Sequence, residues 1–419
     1  MNKTTSQLPV AVIGAGPIGL SAAVHLLDQG YTPIVFEAGD QAGANLARWG
    51  HVRMFSPWAY NVDAAAATLL QQQGWNHPLA SDFPTGQELL AQYVTPLASH
   101  PAIAPHLQLN TQVQSVSRRN HDVLRTGGRN ESPFVLRVTG PDGERDVVAQ
   151  AVIDASGTYQ TPNWLGTHGI PALGENAAAD AIAYGVPNIL GAARDQYVNQ
   201  SVLVVGGGHS AFNALQDLVV LAEQHEGMRV LWGVRNASVT NVVRSPANDE
   251  LQERRRLEVR IQELLEQGLI EVFTELEIEA IERHNGQLMV RSGSRTLPPV
   301  DRIIAATGFR PNLSLLAEVR TSLDPATQSP TRLAPLIDPN QHSCGSVPEH
   351  GLAELSHPEP GLFILGIKSY GRAPTFLLRT GYKQVAAVVT ALGSNAMYAA
   401  AQASTTAAAP SPATSSCQG

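Results

Sequence analysis

The stretch Val10-Ala-Val-Ile-Gly14-Ala-Gly16-Pro17-Ile-Gly19-Leu20 constrains the chain more than any other. An apolar run, three glycines at fixed spacing and an apolar helical pattern follow one another without a gap, which reads as a strand, a tight turn and a helix. In such a unit Gly14 allows the turn, Gly16 lets the backbone approach a pyrophosphate, and Gly19 lets the helix pack closely on the strand. Pro17 suits the first helical turn, and the free amides at the helix start face the phosphates. Glu37 ends the next apolar run, Ile34-Val35-Phe36, where a carboxylate accepts from a ribose hydroxyl. Ile18, Ala22, Ala23, Leu26 and Leu27 form the inward face of the helix, and Gly30 stops it.

The same theme returns at Ser201. Val202-Leu-Val-Val205 leads into Gly206-Gly-Gly208-His209-Ser210-Ala211, a helical pattern follows through Leu221, and a second strand, Val230 to Val234, is closed by Arg235. Ala211 stands for the third glycine, a permitted variant. Where the first unit has Glu37, this one has Arg235, which pairs with a 2′-phosphate that a carboxylate repels, so NADPH is preferred over NADH. A chain of 419 residues exceeds what one core serves, and two units are expected.

Between the glycine motifs, Trp49 to Trp58 gathers two tryptophans with His51, Arg53 and Phe55 in a loop, and helices are expected over Ala64–Gln73 and from Asp82 through Tyr93 and Leu97. Three alternating runs, Leu107 to Val116, Phe134 to Val138 and Val147 to Ile153, read as one small antiparallel or mixed sheet; the last ends in the small-residue turn Asp154-Ala-Ser-Gly157. Thr161 to Asn199 has no clear period and holds a domain boundary. Beyond the second motif come a charged helix, Glu250 to Gly268, three short strands between Ile270 and Arg291, and a strand entering Thr307-Gly308. A last strand ends at Gly366, followed by Lys368-Ser-Tyr-Gly-Arg372 and a helix from Thr375 to Leu392. The Ala, Ser, Thr and Pro bias of 394–419 predicts a disordered tail.

A net charge of -8 argues against a nucleic-acid partner. The two cysteines, Cys344 and Cys417, form neither a disulfide framework nor a CxxC pair, which fits a reducing, cytoplasmic setting. Cys344 reads as a buried structural thiol rather than a reactive one beside His342. Pro9 to Leu27 nearly reaches transmembrane length, yet its glycines and proline sit where a nucleotide turn needs them, so no membrane segment is expected. His77, His100, His106 and His121 lack metal-ligand spacing, and no metal site is expected.

The two glycine motifs, the turns at Gly157 and Thr307-Gly308, and the late strand-glycine-helix unit after Leu362 together resemble the flavoproteins with two dinucleotide-binding domains, which include the flavin-containing monooxygenases and the thioredoxin-reductase-like enzymes. The resemblance covers nearly all of 8–393. It implies an α/β chain with two Rossmann-like, three-layer domains: an FAD domain in two parts, 1–165 and 319–393, with an NAD(P) domain, 166–318, inserted. FAD would be held by Gly14, Gly16, Gly19 and Glu37, with Gly366 and the helix beginning near Thr375 covering the ribityl and pyrimidine side. NADPH would be held by Gly206, Gly208, Ser210, Ala211 and Arg235. Many relatives carry an Asp directly after the glycine aligned with Gly366; here Ile367 and Lys368 follow, and Lys368 becomes a candidate for the N1 and C2 oxygen region of the ring. The Phe-x-Gly fingerprint of the monooxygenases is absent, as 161–201 contains no phenylalanine, and so is the reductase dithiol.

His51, Arg53 and Trp58 are candidates for lining the flavin and a substrate cavity, because polar and aromatic groups concentrated in a loop favour sites. His209 could contact the nicotinamide or its phosphates, though capping explains it equally. His51, Arg53, Lys368 and Arg372 are the catalytic candidates. The expected activity is transfer of a hydride from NADPH to FAD, then oxygenation of a small organic substrate through a C4a-(hydro)peroxyflavin; the alternatives are reduction of a disulfide, quinone or other small acceptor, and a redox sensor without catalysis.

Overall fold

The computed structural model describes residues 8–243, 252–342 and 347–407. Among them the strands form two five-stranded parallel sheets and two three-stranded antiparallel ones. The first parallel sheet has the spatial order Leu362–Ile364, Ala151–Asp154, Val10–Ile13, Pro33–Phe36, Leu107–Gln108. The second has Glu271–Phe273, Arg229–Gly233, Ser201–Val205, Arg302–Ala305, Ile182–Tyr184. In both, the strand that feeds the glycine turn is central and the strand order reverses beside it, which opens a ligand crevice at its carboxyl end.

The period-2 alternation of each central strand sorts its side chains between two layers. Val10 and Val12 pack with the helices, whereas Ala11 and Ile13 pack with the antiparallel sheet Gln112–Arg118, Phe134–Gly140, Gly143–Ala149. Val202 and Val204 likewise face helices His209–Ala222 and Gln252–Glu266, while Leu203 and Val205 face the second antiparallel sheet, built on Ala280–His284 and Gln287–Ser292. Each such valine, leucine or isoleucine, withdrawn from water, contributes about 1.5–3 kcal/mol. The result is a helix, sheet, sheet sandwich made twice.

Helix Pro17–Asp28 starts with proline in its first turn and ends at Gln29 before Gly30, whose φ is +79°. Its buried face, including Ile18, Ala22, Ala23 and Leu26, packs in one core with helices Ala64–Gln71 and Leu378–Ala391. Asp63 caps Ala64–Gln71 by accepting from the Ala65 N–H and is itself met by Ser21 and His25 of the first helix. Among the described residues no helix is long and apolar enough to cross a membrane.

Several expectations are corrected. The runs 107–116 and 147–153 are each divided: Leu107–Gln108 and Ala151–Asp154 join the parallel sheet, and the rest forms the antiparallel one. Continuous alternation along a run conceals the point where a strand changes sheet. The aperiodic 161–199 contains an edge strand, Ile182–Tyr184, too short to show a period. The return helix begins at Leu378 rather than Thr375. The expected tail is helical over Asn395–Ala407, because Met397, Ala401 and Ser404 recur at helical spacing and are buried, with the Ser404 hydroxyl donating to Ser356 O. Residues 408–419 and Cys344 lie outside the described residues.

Candidate functional site

A cavity of about 440 Å³ opens where the two parallel units face each other. Gly14, Gly16, Pro17 and Glu37 of the first glycine unit line it, as do Ser210 and Asn213 of the second nucleotide helix. Gly157 and Gly366 complete the wall from strands Ala151–Asp154 and Leu362–Ile364.

The three glycines of the first motif meet different demands. Gly14 has φ +97°, and a Cβ there would stand 2.8 Å from Ala155 O. A Cβ on Gly19 would stand 1.8 Å from Gly14 O, so the helix can cross the turn only without a side chain. Gly16 has nothing within 4 Å of a Cβ position: no protein atom needs that space, and it opens into the cavity. Glu37 accepts from Ala15 N and Gly39 N, both at 2.9 Å, which fixes the turn while leaving carboxylate lone pairs toward the cavity. Thr375, just before the lining residues Phe376 and Leu377, is buried with its Oγ1 unpaired among the described residues. An open glycine cradle, an acid after the neighbouring strand and an orphaned hydroxyl fit a dinucleotide with a polar ring at its far end.

In the second motif Gly206 has φ +141°, a Cβ on it would stand 2.3 Å from Ala306 O, and its carbonyl accepts from Trp232 Nε1 at 2.8 Å. Gly208 precedes the helix with open space at its Cβ position. Ala211 is buried in the core, and Arg235 is exposed after its strand. His209 stands behind the cavity wall rather than on it: Nε2 lies 3.1 Å from Glu258 Oε1, and the ring meets the lining residue Phe55 edge-on at 4.9 Å. Asp217, one turn beyond Asn213, has its carboxyl pushed up to about 6 by burial.

The structure brings only some of the loop and return-segment candidates to the cavity. Arg53 lines it and donates from Nη1 to Phe83 O at 2.5 Å. Trp58 is buried in the first core and does not line it. His51 hydrogen-bonds to the backbone of Pro187 in the second unit; burial lowers its pKa despite that bond, and its Nε2 is unpaired among the described residues. Thr307 and Gly308 are held by Asn163, which receives the Thr307 hydroxyl on its carbonyl at 2.6 Å and donates its own N–H to Gly308 O at 2.9 Å. Arg372 is exposed, its N–H donating to Thr327 O at 2.7 Å. Lys368 is neither on the surface nor on the cavity wall. It is buried behind Ser156, with Nζ 2.6 Å from Asp154 Oδ2 and 2.9 Å from Ser156 Oγ.

Trp49 and Phe55, noted from the sequence only as members of the aromatic loop, also line the cavity, as do Met54, Ser156, Tyr159 and Asn213, which were not proposed as site residues. Asn213 was within reach, because it follows Ser210 by three positions on one helical face. Tyr159 stacks on Phe309 at 4.8 Å and 27°, a contact between distant segments with no local signature.

The family model described as pyridine nucleotide-disulphide oxidoreductase matches residues 11–333. A ferredoxin–NADP reductase from Salinispora tropica is 26% identical over 324 residues, 76% of this chain and 79% of that protein. Flavin-containing monooxygenase 3 from Macaca mulatta is 27% identical over 220 residues, 51% of this chain and 38% of that one. The solved structure of a bacillithiol disulfide reductase from Bacillus cereus superposes with a TM-score of 0.67 at 20% identity, covering 95% of this chain and 100% of that one, and so shares the fold.

Proposed function

Because this chain belongs to the pyridine nucleotide-disulphide oxidoreductase family, we propose that it is an FAD-dependent, NADPH-oxidising enzyme that oxygenates a small organic substrate. One observation carries the reading: a single cavity is walled at once by the glycine turn of the first unit and by Ser210 and Asn213 of the second. A dinucleotide in each unit would extend its reactive ring toward the same space. FAD, when bound, supplies the two-electron acceptor and, once reduced, the chemistry that activates oxygen.

The chain's own part is to bind, orient and exclude water. Gly16 and Glu37 hold the pyrophosphate and ribose; Arg235 selects the 2′-phosphate. Val52, Met54, Phe55 and Phe376 give the cavity apolar walls, which keep water from the reacting atoms. The sequence carries two cysteines, Cys344 and Cys417, far apart and without a CxxC pair, which speaks against a local dithiol relay.

A second reading is direct reduction of a small acceptor. Its support is that the ferredoxin–NADP reductase matches in sequence over more of both chains than flavin-containing monooxygenase 3 does. Anaerobic NADPH followed by oxygen separates the two. Bleaching of the flavin, then oxygen uptake that rises with an organic substrate and yields its oxygenated product, is the expected result. Bleaching with turnover of a quinone or disulfide and no oxygenated product would establish the reductase, and failure to bleach would overturn both.

A further inference from the structure

Arg53 stands where two spaces meet. It lines the inner cavity, and it also lines an outer groove of about 560 Å³ bounded by Asp82, Phe83 and Glu88 of the first unit and Glu253 and Arg256 of helix Gln252–Glu266. Its backbone is rooted by an antiparallel bridge to Thr85 and by the Met54 N–H donating to Pro84 O at 2.8 Å. The guanidinium carries five N–H donors. Among the described residues it makes one hydrogen bond, to Phe83 O, and no ion pair.

The other charges around the groove are engaged differently. Arg256 is paired with Glu253, and Glu88 accepts the Thr85 N–H at 2.7 Å in a capping box. Inward of Arg53 the wall turns apolar at Val52, Met54 and Phe55, so a charged group moved past it would lose its hydration without gaining a partner. An arginine with free donors at the boundary between an apolar chamber and a polar groove matches a molecule with an apolar body and a charged head.

We propose that Arg53 anchors the anionic head, a carboxylate or sulfonate, of a substrate whose apolar body reaches into the inner cavity. The inference rests on the reading that this cavity is where the reaction takes place. A planar fork with unused donors suits bidentate capture of such a head. Asp82, in the same groove and with no partner for its carboxylate among the described residues, defines the competing outcome, a cationic head.

Octanoate, octylamine and 1-octanol, titrated calorimetrically into the FAD-loaded full chain, test the proposal. Octanoate should bind more tightly than the other two. Arg53→Gln should weaken octanoate about tenfold or more, Arg53→Lys less, and neither should alter 1-octanol. Because Arg53 is exposed, the melting temperature of both variants should match the parent, so lost binding is not lost folding. Absent octanoate binding, equal affinity in Arg53→Gln, or tighter octylamine binding abolished by Asp82→Asn would overturn the anchor. Flavin content and NADPH bleaching, read on the same samples, report separately on the cofactor reading: their loss with octanoate binding retained would sink that reading and leave the anchor standing.

Discussion

Lys368 Nζ lies 2.6 Å from Asp154 Oδ2, with both side chains fully shielded from water and 214 positions apart in the chain. Asp154 ends a strand of the first parallel sheet, and Lys368 follows the strand that pairs beside it. The pair is therefore the electrostatic fastening of the return segment, and it stands directly behind the cavity residue Ser156, whose hydroxyl donates to Asp154 Oδ1 at 2.7 Å.

Removing one partner strands the other charge in the interior. Lys368→Met should cost about 3–5 kcal/mol of unfolding free energy, whereas Lys368→Met combined with Asp154→Leu should recover most of it. Denaturant unfolding of the three proteins checks this; equal losses in the single and double variants would count against the fastening role.

The glycines of the first motif should separate folding from binding. Gly19→Ala forces a Cβ onto Gly14 O and should prevent stable folding, or lower the melting temperature sharply. Gly16→Ala meets nothing in the protein and should leave apoprotein stability within about 1 kcal/mol, the ordinary helix-flank effect, while weakening FAD. Thermal melts of the apoprotein and flavin titration measure the two effects independently.

Nicotinamide preference is tested at Arg235, which is exposed and free of a packing role. Arg235→Glu should raise the KM for NADPH about tenfold or more and that for NADH much less, as expected when a charge-assisted contact to a 2′-phosphate is replaced by repulsion. Equal changes for both nucleotides would refute the assignment.

His357 should give the fold an acid limit. Burial pulls its pKa down to about 4, its Nδ1 accepting from Ser322 N at 3.2 Å while Nε2 has no partner among the described residues. The unfolded chain, with an ordinary histidine, takes up the proton first as pH falls. The contribution is therefore complete above the unfolded pKa of about 6.5 and is lost as pH drops toward 4, amounting to roughly 3 kcal/mol at most. In His357→Gln the slope of stability between those pH values should be shallower by one proton.

What could be read from the chain was what lies close together in it. The two glycine turns, the helices they open and the strands after them are local patterns, each set by spacing within about 20 residues. The Arg53 loop announced itself by composition. Contacts made across the chain had no such signature. Lys368 suggested a contact with the ring, because Asp154 is its neighbour only once the sheet has formed. Trp58 looked like a cavity aromatic, yet its helical turn Trp58–Asn61 delivers it to the first core. The Ala-rich segment after Ser394 lacked the hydrophobicity of a core helix, but burying Met397 in the first core, with Ala401 buried one turn on, is enough to dock it.

The pairing of Leu362–Ile364 with Ala151–Asp154 also orders events in time. During synthesis the strand ending at Asp154 emerges with one edge bare, and it stays bare while the ribosome completes the whole of the second sheet. The inserted unit has all five of its strands before the unit that surrounds it has its last. A nascent chain arrested before Leu362 would thus hold a finished second unit and a first unit with an open seam, the kind of exposed edge on which chaperones act and misassembly begins.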